Sequence, residues 1–171
     1  GIKLSEYPAR ADKAAVLSSV GLAGKKLLVT SVGNLKPQKN PEGFVALAES
    51  LAHEFPTAGF LFVGDGPLRG SLEARIKASG LGGSVALPGW RRDIAQILAA
   101  SDAFVLTSLW EVLPRALLEA MATGLACVCH AADGVTDVLK DGENGFLARP
   151  GDSTRLARRV LGLLTLGWLI S

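Results

Sequence analysis

Residues 108–119 contain the residue types and the spacing with the clearest chemical potential. This segment, SLWEVLPRALLE, places Glu111 in a loop and Glu119 eight positions later. Pro114 suits the first position of a helix, where its missing N–H costs nothing. Leu113 before it offers no side-chain acceptor to the free backbone N–H groups. Such a helix start attracts an anion, because free N–H groups and the positive end of the helix dipole face it.

The two carboxylates suggest what surrounds that anion. Carboxylate oxygens accept hydrogen bonds from sugar and ribose hydroxyls, and the loop can turn Glu111 back over the helix start. The pair therefore predicts a phosphate with hydroxyl-rich groups attached on either side. The alternative is a solvated Glu111 and a Glu119 on the helix surface, neither of which binds a ligand.

A basic loop at residues 33–41 is the second candidate. It contains Lys36 and Lys39 and precedes a helix predicted to begin at Pro41. Both lysines can reach a diphosphate as point charges, and Lys39 lies nearer the helix. The alternative is a solvated basic loop.

Two further motifs carry weaker signals. The glycines of residues 64–70, GDGPLRG, follow the second predicted strand with the spacing G-x-G-x-x-x-G, which favours a tight turn over a dinucleotide fingerprint. Cys127, Cys129 and His130 lie close together, but His53 is the only other His or Cys. A zinc site usually needs four ligands, so we expect buried small side chains and no metal site.

The elements between these loops must position them. After Gly24, short β-rich runs without polar alternation are each followed by a helix-length segment, a pattern of parallel strands with right-handed crossovers. We therefore expect a single-domain, doubly wound, Rossmann-like α/β sheet with helices on both faces. The predicted strands are 27–32, 60–63, 84–87, 103–106, 126–129 and 146–147. The predicted helices are 41–55, 72–78, 94–100, 114–123, 134–139 and 153–164.

Such a sheet binds ligands in the crevice beyond the carboxyl ends of its strands. Five loops would meet at that edge and contain glycine, proline or ionisable residues. They are residues 33–41, 64–70, 89–93, 107–114 and 130–134.

Composition narrows the function classes. The 171 residues suffice for one domain with a real core, and a hydrophobic content of 49% excludes a disordered chain. A net charge of +2 is too small for a nucleic-acid footprint made of charge alone. Two cysteines fit a reducing compartment, so we expect a cytoplasmic protein. The apolar run 160–170 is shorter than the about 20 residues of a membrane span, and we expect it to pack on the core or on a partner.

Taken together, these motifs resemble the C-terminal, donor-binding half of retaining glycosyltransferases of the GT-B fold, the group 1 family. The segment from Glu111 to Glu119 looks like that family's Glu-x7-Glu signature. The resemblance runs from about residue 22 to 164, and residues 1–22 look like the segment that enters this half from the interdomain linker. Residues 23–171 would then be the donor-binding domain. Further anchors in the family's order are residues 33–39, 64–67, 88–90, 101–102, 124, 141–146 and 150–152.

The resemblance implies a nucleotide-diphosphate sugar as the substrate, with no cofactor and no metal. It implies catalytic roles for Lys39 at the diphosphate and for Glu111 at the donor sugar, with Glu119 at the ribose hydroxyls. The nucleobase would lie beside residues 89–91. The implied binding positions are Gly33, Asn34, Lys36, Lys39, Gly89, Trp90, Arg91, Glu111, Val112, Leu113, Pro114 and Glu119.

The same resemblance implies a partner. An N-terminal acceptor-binding domain would lie outside this chain, which alone would bind nucleotide but be catalytically incomplete. We expect no nucleic-acid partner and no membrane span, and any peripheral membrane contact would come through the other half.

Three departures from the family pattern leave an alternative function open. Asn34 stands where the family often has Arg, Val112 replaces a usual Gly, and Asp137 stands where Glu is common. A degenerate, non-catalytic sugar-nucleotide-binding or interaction module is therefore the alternative. Another sugar-nucleotide enzyme, such as a non-hydrolysing epimerase, is disfavoured by the scarcity of histidines.

Overall fold

The computed structural model describes the backbone of residues 2–170 and the side chains of residues 2–166. Gly1 and Ser171, which the predicted domain ranges include, lie outside the described residues. The strands are β1 (Leu27–Val32), β2 (Ala58–Val63), β3 (Val85–Ala86), β4 (Ala103–Leu106), β5 (Ala126–His130) and β6 (Phe146–Ala148). The helices are α1 (Lys13–Ser19), α2 (Pro41–Leu51), α3 (Arg69–Ala78), α4 (Ile94–Ala100), α5 (Arg115–Ala122) and α6 (Ser153–Ile170).

The six strands form one parallel sheet in the order β3-β2-β1-β4-β5-β6. The strand order reverses between β1 and β4, and this reversal is the hallmark of a doubly wound sheet. The fold class expected from the sequence is therefore confirmed. Its carboxyl edge at β1 and β4 is where a ligand crevice forms in such sheets.

Both faces of the sheet are covered by apolar side chains. Alternate positions of each strand enter different clusters, so that Val29 packs with α2, α3 and α6 while Leu28 packs with α1 and α4. On the α2 side, Phe44 meets Phe62 edge to face, with ring centroids 5.4 Å apart. An aromatic pair of this geometry contributes about 0.5–1.5 kcal/mol beyond the area that it buries. This two-sided burial explains why the strands lack polar alternation.

Helix α1 is tied to the amino ends of two strands. Asp12 caps it by accepting a hydrogen bond from the Ala15 amide at 3.1 Å. Lys13 Nζ lies 2.6 Å from Asp102 Oδ2, which also accepts from the Leu28 amide at 2.7 Å. Residues 13–19 therefore pack on the sheet, while the boundary at residue 22 between a linker and a donor-binding domain stays a prediction.

The helix predicted over residues 134–139 is wrong, because the chain forms consecutive turns there. Gly134 has a φ of +80°, and a Cβ at that position would lie 2.5 Å from the Glu111 carbonyl oxygen. The Glu111 amide also donates to the Asp133 carbonyl at 3.0 Å. Close packing on a neighbouring loop thus replaces helical geometry.

Helix boundaries also differ from the sequence prediction. Helix α2 ends at Leu51 and not at residue 55, and α6 continues to Ile170. Val160 and Leu164 of α6 are buried in the core, as expected for part of the apolar run 160–170. The side chains of residues 167–170 lie outside the described residues. None of the helices in the described part combines the length and the hydrophobicity that crossing a membrane requires.

Candidate functional site

The loops that follow β1 and β4 are joined at the carboxyl edge of the sheet. The Leu109 amide donates to the Gln38 carbonyl at 2.9 Å, and Gln38 Nε2 donates to the Trp110 carbonyl at 3.0 Å. Thr107 Oγ1 donates to the Asn40 carbonyl at 2.7 Å. The adjacency of β1 and β4 places these loops together, and the hydrogen bonds fix their register.

Within this joined region, Lys39 forms an ion pair with the buried carboxylate of Glu111. Lys39 Nζ lies 2.5 Å from Glu111 Oε1, and the Glu111 residue is only 6% exposed. The Lys39 stem lies along Gly33, 3.5–3.6 Å from where a Cβ on that glycine would lie. The alternative of a solvated Glu111 is therefore wrong, and the two predicted catalytic residues are in contact.

Ser108 supplies a second donor to the same carboxylate. Its Oγ donates to Glu111 Oε1 at 2.6 Å, and the serine is fully buried directly after β4 and Thr107. Both donors bind Oε1, so Oε2 can accept a hydrogen bond from a ligand hydroxyl. The motif contained Ser108, but nothing in its spacing predicted this contact.

The start of α5 lacks a side-chain cap, as the sequence predicted. Pro114 is the N-cap residue and not the first helical residue, because its ψ of 71° is not helical. The amides of Arg115 and Leu118 donate to Leu113 and Pro114, respectively. Within the described chain, the two intervening amides, of residues 116 and 117, find no such acceptor outside the helix. This start presents free N–H groups and the positive end of the helix dipole.

Exposed apolar residues precede this helix start in the chain. Val112 is 86% exposed and Leu113 is 65% exposed. Leu109 and Trp110 before them are also exposed. The predicted binding positions Val112 and Leu113 therefore have solvent-exposed side chains.

Glu119 lies on α5 below this start, and its side chain is only 13% exposed. Its Oε1 accepts a hydrogen bond from Arg115 Nε at 3.0 Å. Tyr7 lies close to this carboxylate: burial raises the pKa of the phenol, and the negative charge of Glu119 raises it further. Tyr7 lies 112 positions away in sequence, so no local signal could have linked the two residues.

The loops after β2 and β3 lie next to the loop after β1. The Gly64 amide donates to the Gly89 carbonyl at 3.0 Å. Arg69 donates to the Leu87 carbonyl at 3.0 Å and to the Gly64 carbonyl at 3.3 Å. A Cβ at Gly64 would lie only 1.7 Å from the Gly33 carbonyl oxygen. This close approach explains the glycine-rich turn without a dinucleotide.

The residues predicted to lie beside the nucleobase differ in whether their side chains are free to contact a ligand. Trp90 is 60% exposed beside Gly89. Arg91 Nη2 instead pairs with Asp93 Oδ2 at 2.8 Å, and its Nη1 donates to the Ser19 carbonyl at 3.2 Å. The structure therefore leaves Trp90 open, whereas the Arg91 guanidinium is held against α1.

Asn34 and Lys36 are half-buried in the loop after β1. The Lys36 amide donates to the Asn34 carbonyl at 2.9 Å. They share the loop with Lys39 but do not take part in its ion pair with Glu111. Their assignment to the binding site stays a prediction.

Cys127 and Cys129 are buried small side chains, as the sequence predicted. Burial raises the pKa of the Cys127 thiol to about 12. His130 is 2% exposed, and its Nδ1 lies 2.9 Å from the Thr107 carbonyl oxygen. Burial lowers the pKa of this imidazole. Among the described side chains, no group of three or more His, Cys, Asp or Glu residues is arranged to hold a metal ion.

Comparison with known protein families gives a direct match. The model of the family described as glycosyl transferases group 1 matches residues 12–167 of the chain.

Two curated relatives are similar to most of the chain. A UDP-Gal:alpha-D-GlcNAc-diphosphoundecaprenol alpha-1,3-galactosyltransferase of Escherichia coli is 37% identical over 156 residues, covering 89% of this chain and 40% of that protein. The lipopolysaccharide core biosynthesis glycosyltransferase LpsE of Rhizobium meliloti is 34% identical over 133 residues, covering 78% and 38%. The chain thus spans about 40% of the length of these relatives.

Solved structures also match nearly the whole length of this chain. Anabaena HepE, in complex with UDP and glucose, matches with a TM-score of 0.84 and 28% identity, covering 96% of this chain and 45% of that one. The C-terminal domain of the group 1 glycosyl transferase LpcC from Francisella tularensis matches with a TM-score of 0.86 and 21% identity, covering 96% and 88%. At that identity the second match shows the fold alone.

Proposed function

The chain belongs to the glycosyl transferases group 1 family, and from this premise we propose that it is the donor-binding half of a retaining glycosyltransferase. The whole enzyme would move a sugar from a nucleotide-diphosphate sugar to an acceptor. One observation carries the proposal: Lys39 and the buried Glu111 form an ion pair between loops that meet at the carboxyl edge, and the uncapped start of α5 closely follows Glu111.

In this proposal, the diphosphate binds between Lys39 and the start of α5. The lysine supplies a positive charge, and the free amides of α5 supply hydrogen-bond donors along the helix dipole. Lys39 has three N–H donors, so it can turn from Glu111 toward a phosphate oxygen. Of the two charged groups in the pair, the Lys39 ammonium is the one that attracts an anion. A diphosphate bound there would take the place of Glu111 as the partner of Lys39.

The groups on either side of the diphosphate bind the two carboxylates. Glu111 accepts from hydroxyls of the donor sugar through Oε2, and Glu119 accepts from the ribose hydroxyls. The nucleobase lies beside Gly89 and Trp90. The UDP and glucose in the similar HepE structure support this assignment and make uridine nucleotides the first to test.

The residues of this half act on the leaving group. When the bond between the anomeric carbon and the diphosphate oxygen breaks, its electron pair goes to the diphosphate. The acceptor hydroxyl attacks the anomeric carbon from the same face and passes its proton to the departing oxygen, so the configuration is retained. Lys39 and the start of α5 stabilise the developing negative charge, which requires no metal in this proposal.

The acceptor is bound by a partner domain. The relatives are longer than this chain, which leaves room for a second domain in them. We therefore assign acceptor binding to an N-terminal domain, and we expect this chain alone to bind nucleotide with little or no sugar transfer.

Calorimetric titration with UDP, GDP and ADP tests the proposal. We expect one of them to bind, and Glu119→Gln to weaken that binding by about 1–3 kcal/mol because the ribose hydrogen bonds are lost. Glu54→Gln is the matched control, since Glu54 is exposed between α2 and β2. If millimolar concentrations of all three nucleotides fail to bind, the proposal is wrong.

A non-catalytic binding module is the second candidate, favoured by Asn34 and Val112. Asn34 removes one positive charge expected at the diphosphate, and Val112 adds a side chain where a ligand would approach the backbone. Asn34→Arg and Val112→Gly should each raise UDP affinity if the site has degenerated. If neither change raises it, simple degeneration is excluded.

A further inference from the structure

The Glu111 carboxylate accepts hydrogen bonds from two donors that differ in charge and in burial. Oε1 accepts from Lys39 Nζ at 2.5 Å and from Ser108 Oγ at 2.6 Å. The lysine is a flexible cation whose side chain is 20% exposed, whereas the serine is fully buried. Only the lysine can follow an incoming ligand.

The backbone around Ser108 is held on both sides. Thr107 Oγ1 donates to the Asn40 carbonyl, and the Leu109 amide donates to the Gln38 carbonyl. The hydroxyl of Ser108 therefore starts from a fixed point and reaches Oε1 through a single short side chain. Such rigid support is what keeps a functional group in a productive geometry.

Binding of a diphosphate would remove one of the two donors from the Glu111 carboxylate. A diphosphate draws the Lys39 ammonium away from Glu111, and a buried carboxylate without a donor is strongly disfavoured. It would then rotate toward solvent and away from a bound sugar. A neutral hydroxyl that does not compete for the diphosphate keeps the carboxylate in place.

We infer that Ser108 is a positioning residue, which holds Glu111 toward the donor sugar while Lys39 binds the diphosphate. This inference rests on the proposed function. It assigns the diphosphate to the lysine and the sugar to the carboxylate, with the serine acting only through Glu111. Loss of the Ser108 hydroxyl should therefore weaken recognition of the sugar and not of the nucleoside diphosphate.

The test compares two ligands on two matched variants. Ser108→Ala removes the hydroxyl after β4, and Ser101→Ala removes a hydroxyl before β4, where Ser101 pairs with Thr30 at 2.7 Å. Calorimetry measures the affinity of each variant for UDP and for UDP-galactose. We expect Ser108→Ala to weaken UDP-galactose by about tenfold, as for a hydrogen bond to a charged group. UDP should stay within about twofold, Ser101→Ala should change neither, and Ser108→Thr should restore UDP-galactose binding.

Equal losses for UDP and UDP-galactose, or no loss for either, would overturn the inference. Crystal structures of Lys39→Met, with and without Ser108→Ala, separate it from the proposed function, because Lys39 itself holds the Glu111 carboxylate when no ligand is bound. If neither nucleotide binds the wild type, the proposed function fails, and these two structures still test the role of Ser108. A Glu111 carboxylate that stays in place in Lys39→Met but is displaced in the double variant supports the positioning role, and an equal position in both variants contradicts it.

Discussion

Two lysine–carboxylate pairs connect the segments at opposite ends of β1 and β4. At the amino ends, Lys13 Nζ lies 2.6 Å from Asp102 Oδ2, and at the carboxyl ends Lys39 Nζ lies 2.5 Å from Glu111 Oε1. The pairs are alike in chemistry and distance. They differ in what else the carboxylate binds.

Asp102 is committed to the backbone, whereas Glu111 Oε1 is bound by side chains. Asp102 Oδ2 accepts from the Leu28 amide at 2.7 Å, and the Asp102 amide donates to the Leu28 carbonyl at 2.8 Å. Glu111 Oε1 accepts from Lys39 and Ser108, next to an uncapped helix start. An ion pair built into strand connections supports the fold, whereas one built from side chains can exchange partners with a ligand.

Replacing Lys39 should have the largest effect. Lys39→Met leaves the Glu111 charge buried without its cation, and removing one partner of a buried pair costs about 3–5 kcal/mol of unfolding free energy. UDP affinity should also fall. Urea unfolding followed by tryptophan fluorescence measures the first effect, and calorimetry measures the second.

The double variant Lys39→Met with Glu111→Gln is the control. Removing both charges should recover most of the stability but none of the UDP affinity. If the single variant is as stable as the wild type, the ion pair at the carboxyl edge does not have the buried character that the comparison assigns to it.

At the amino edge, Asp102→Ala should lower the unfolding free energy by about 1–3 kcal/mol, because the Leu28 amide loses its acceptor. Asp102→Asn retains an acceptor oxygen and should cost less. Both variants should bind UDP as the wild type does, measured by calorimetry under conditions in which they are folded. If either variant lost UDP affinity, the amino edge of the sheet would not be purely structural, and the contrast with the carboxyl edge would be wrong.

Acid should affect the carboxyl edge through His130. Burial lowers the pKa of this imidazole below its usual 6.5, so the folded state favours the neutral form. The resulting stability is present above that value and is lost as the pH falls through the lowered pKa. Urea midpoints at about pH 7 and about pH 5 measure the loss. His130→Gln should reduce the pH dependence of the urea midpoint.

The smallest expected effect is spectroscopic and concerns Tyr7, the single tyrosine of the chain. Burial and Glu119 raise the pKa of its phenol above 10.0, so the associated stability is present below that pH and is lost as the pH rises through the raised value. The ultraviolet absorbance of tyrosinate follows this titration. Glu119→Gln should reverse only part of the shift, because burial raises the pKa independently of Glu119. A midpoint equal to that of the urea-unfolded chain would contradict the contact.

The predicted and observed bounds of the elements agree best where the pattern of buried residues repeats regularly along the chain. The patterns predicted β1, β4 and α4 with the bounds observed, because continuous apolar runs and helical spacing both follow from burial against the sheet. The prediction failed at residues 134–139, where Gly134 is pressed against the Glu111 backbone. That contact depends on a loop more than twenty positions earlier, so the local pattern did not contain it.

The sequence by itself determined the doubly wound sheet, the edge at which its loops meet, and the residue types at that edge. Tertiary structure decided which of them touch. Lys39 and Glu111 are 72 positions apart, and Tyr7 and Glu119 are 112 apart. Periodicity governs which face of an element is buried, whereas a hydrogen bond between distant side chains depends on the relative placement of two loops. For that reason the carboxylates were predictable as candidates, but the partners that hold them were not.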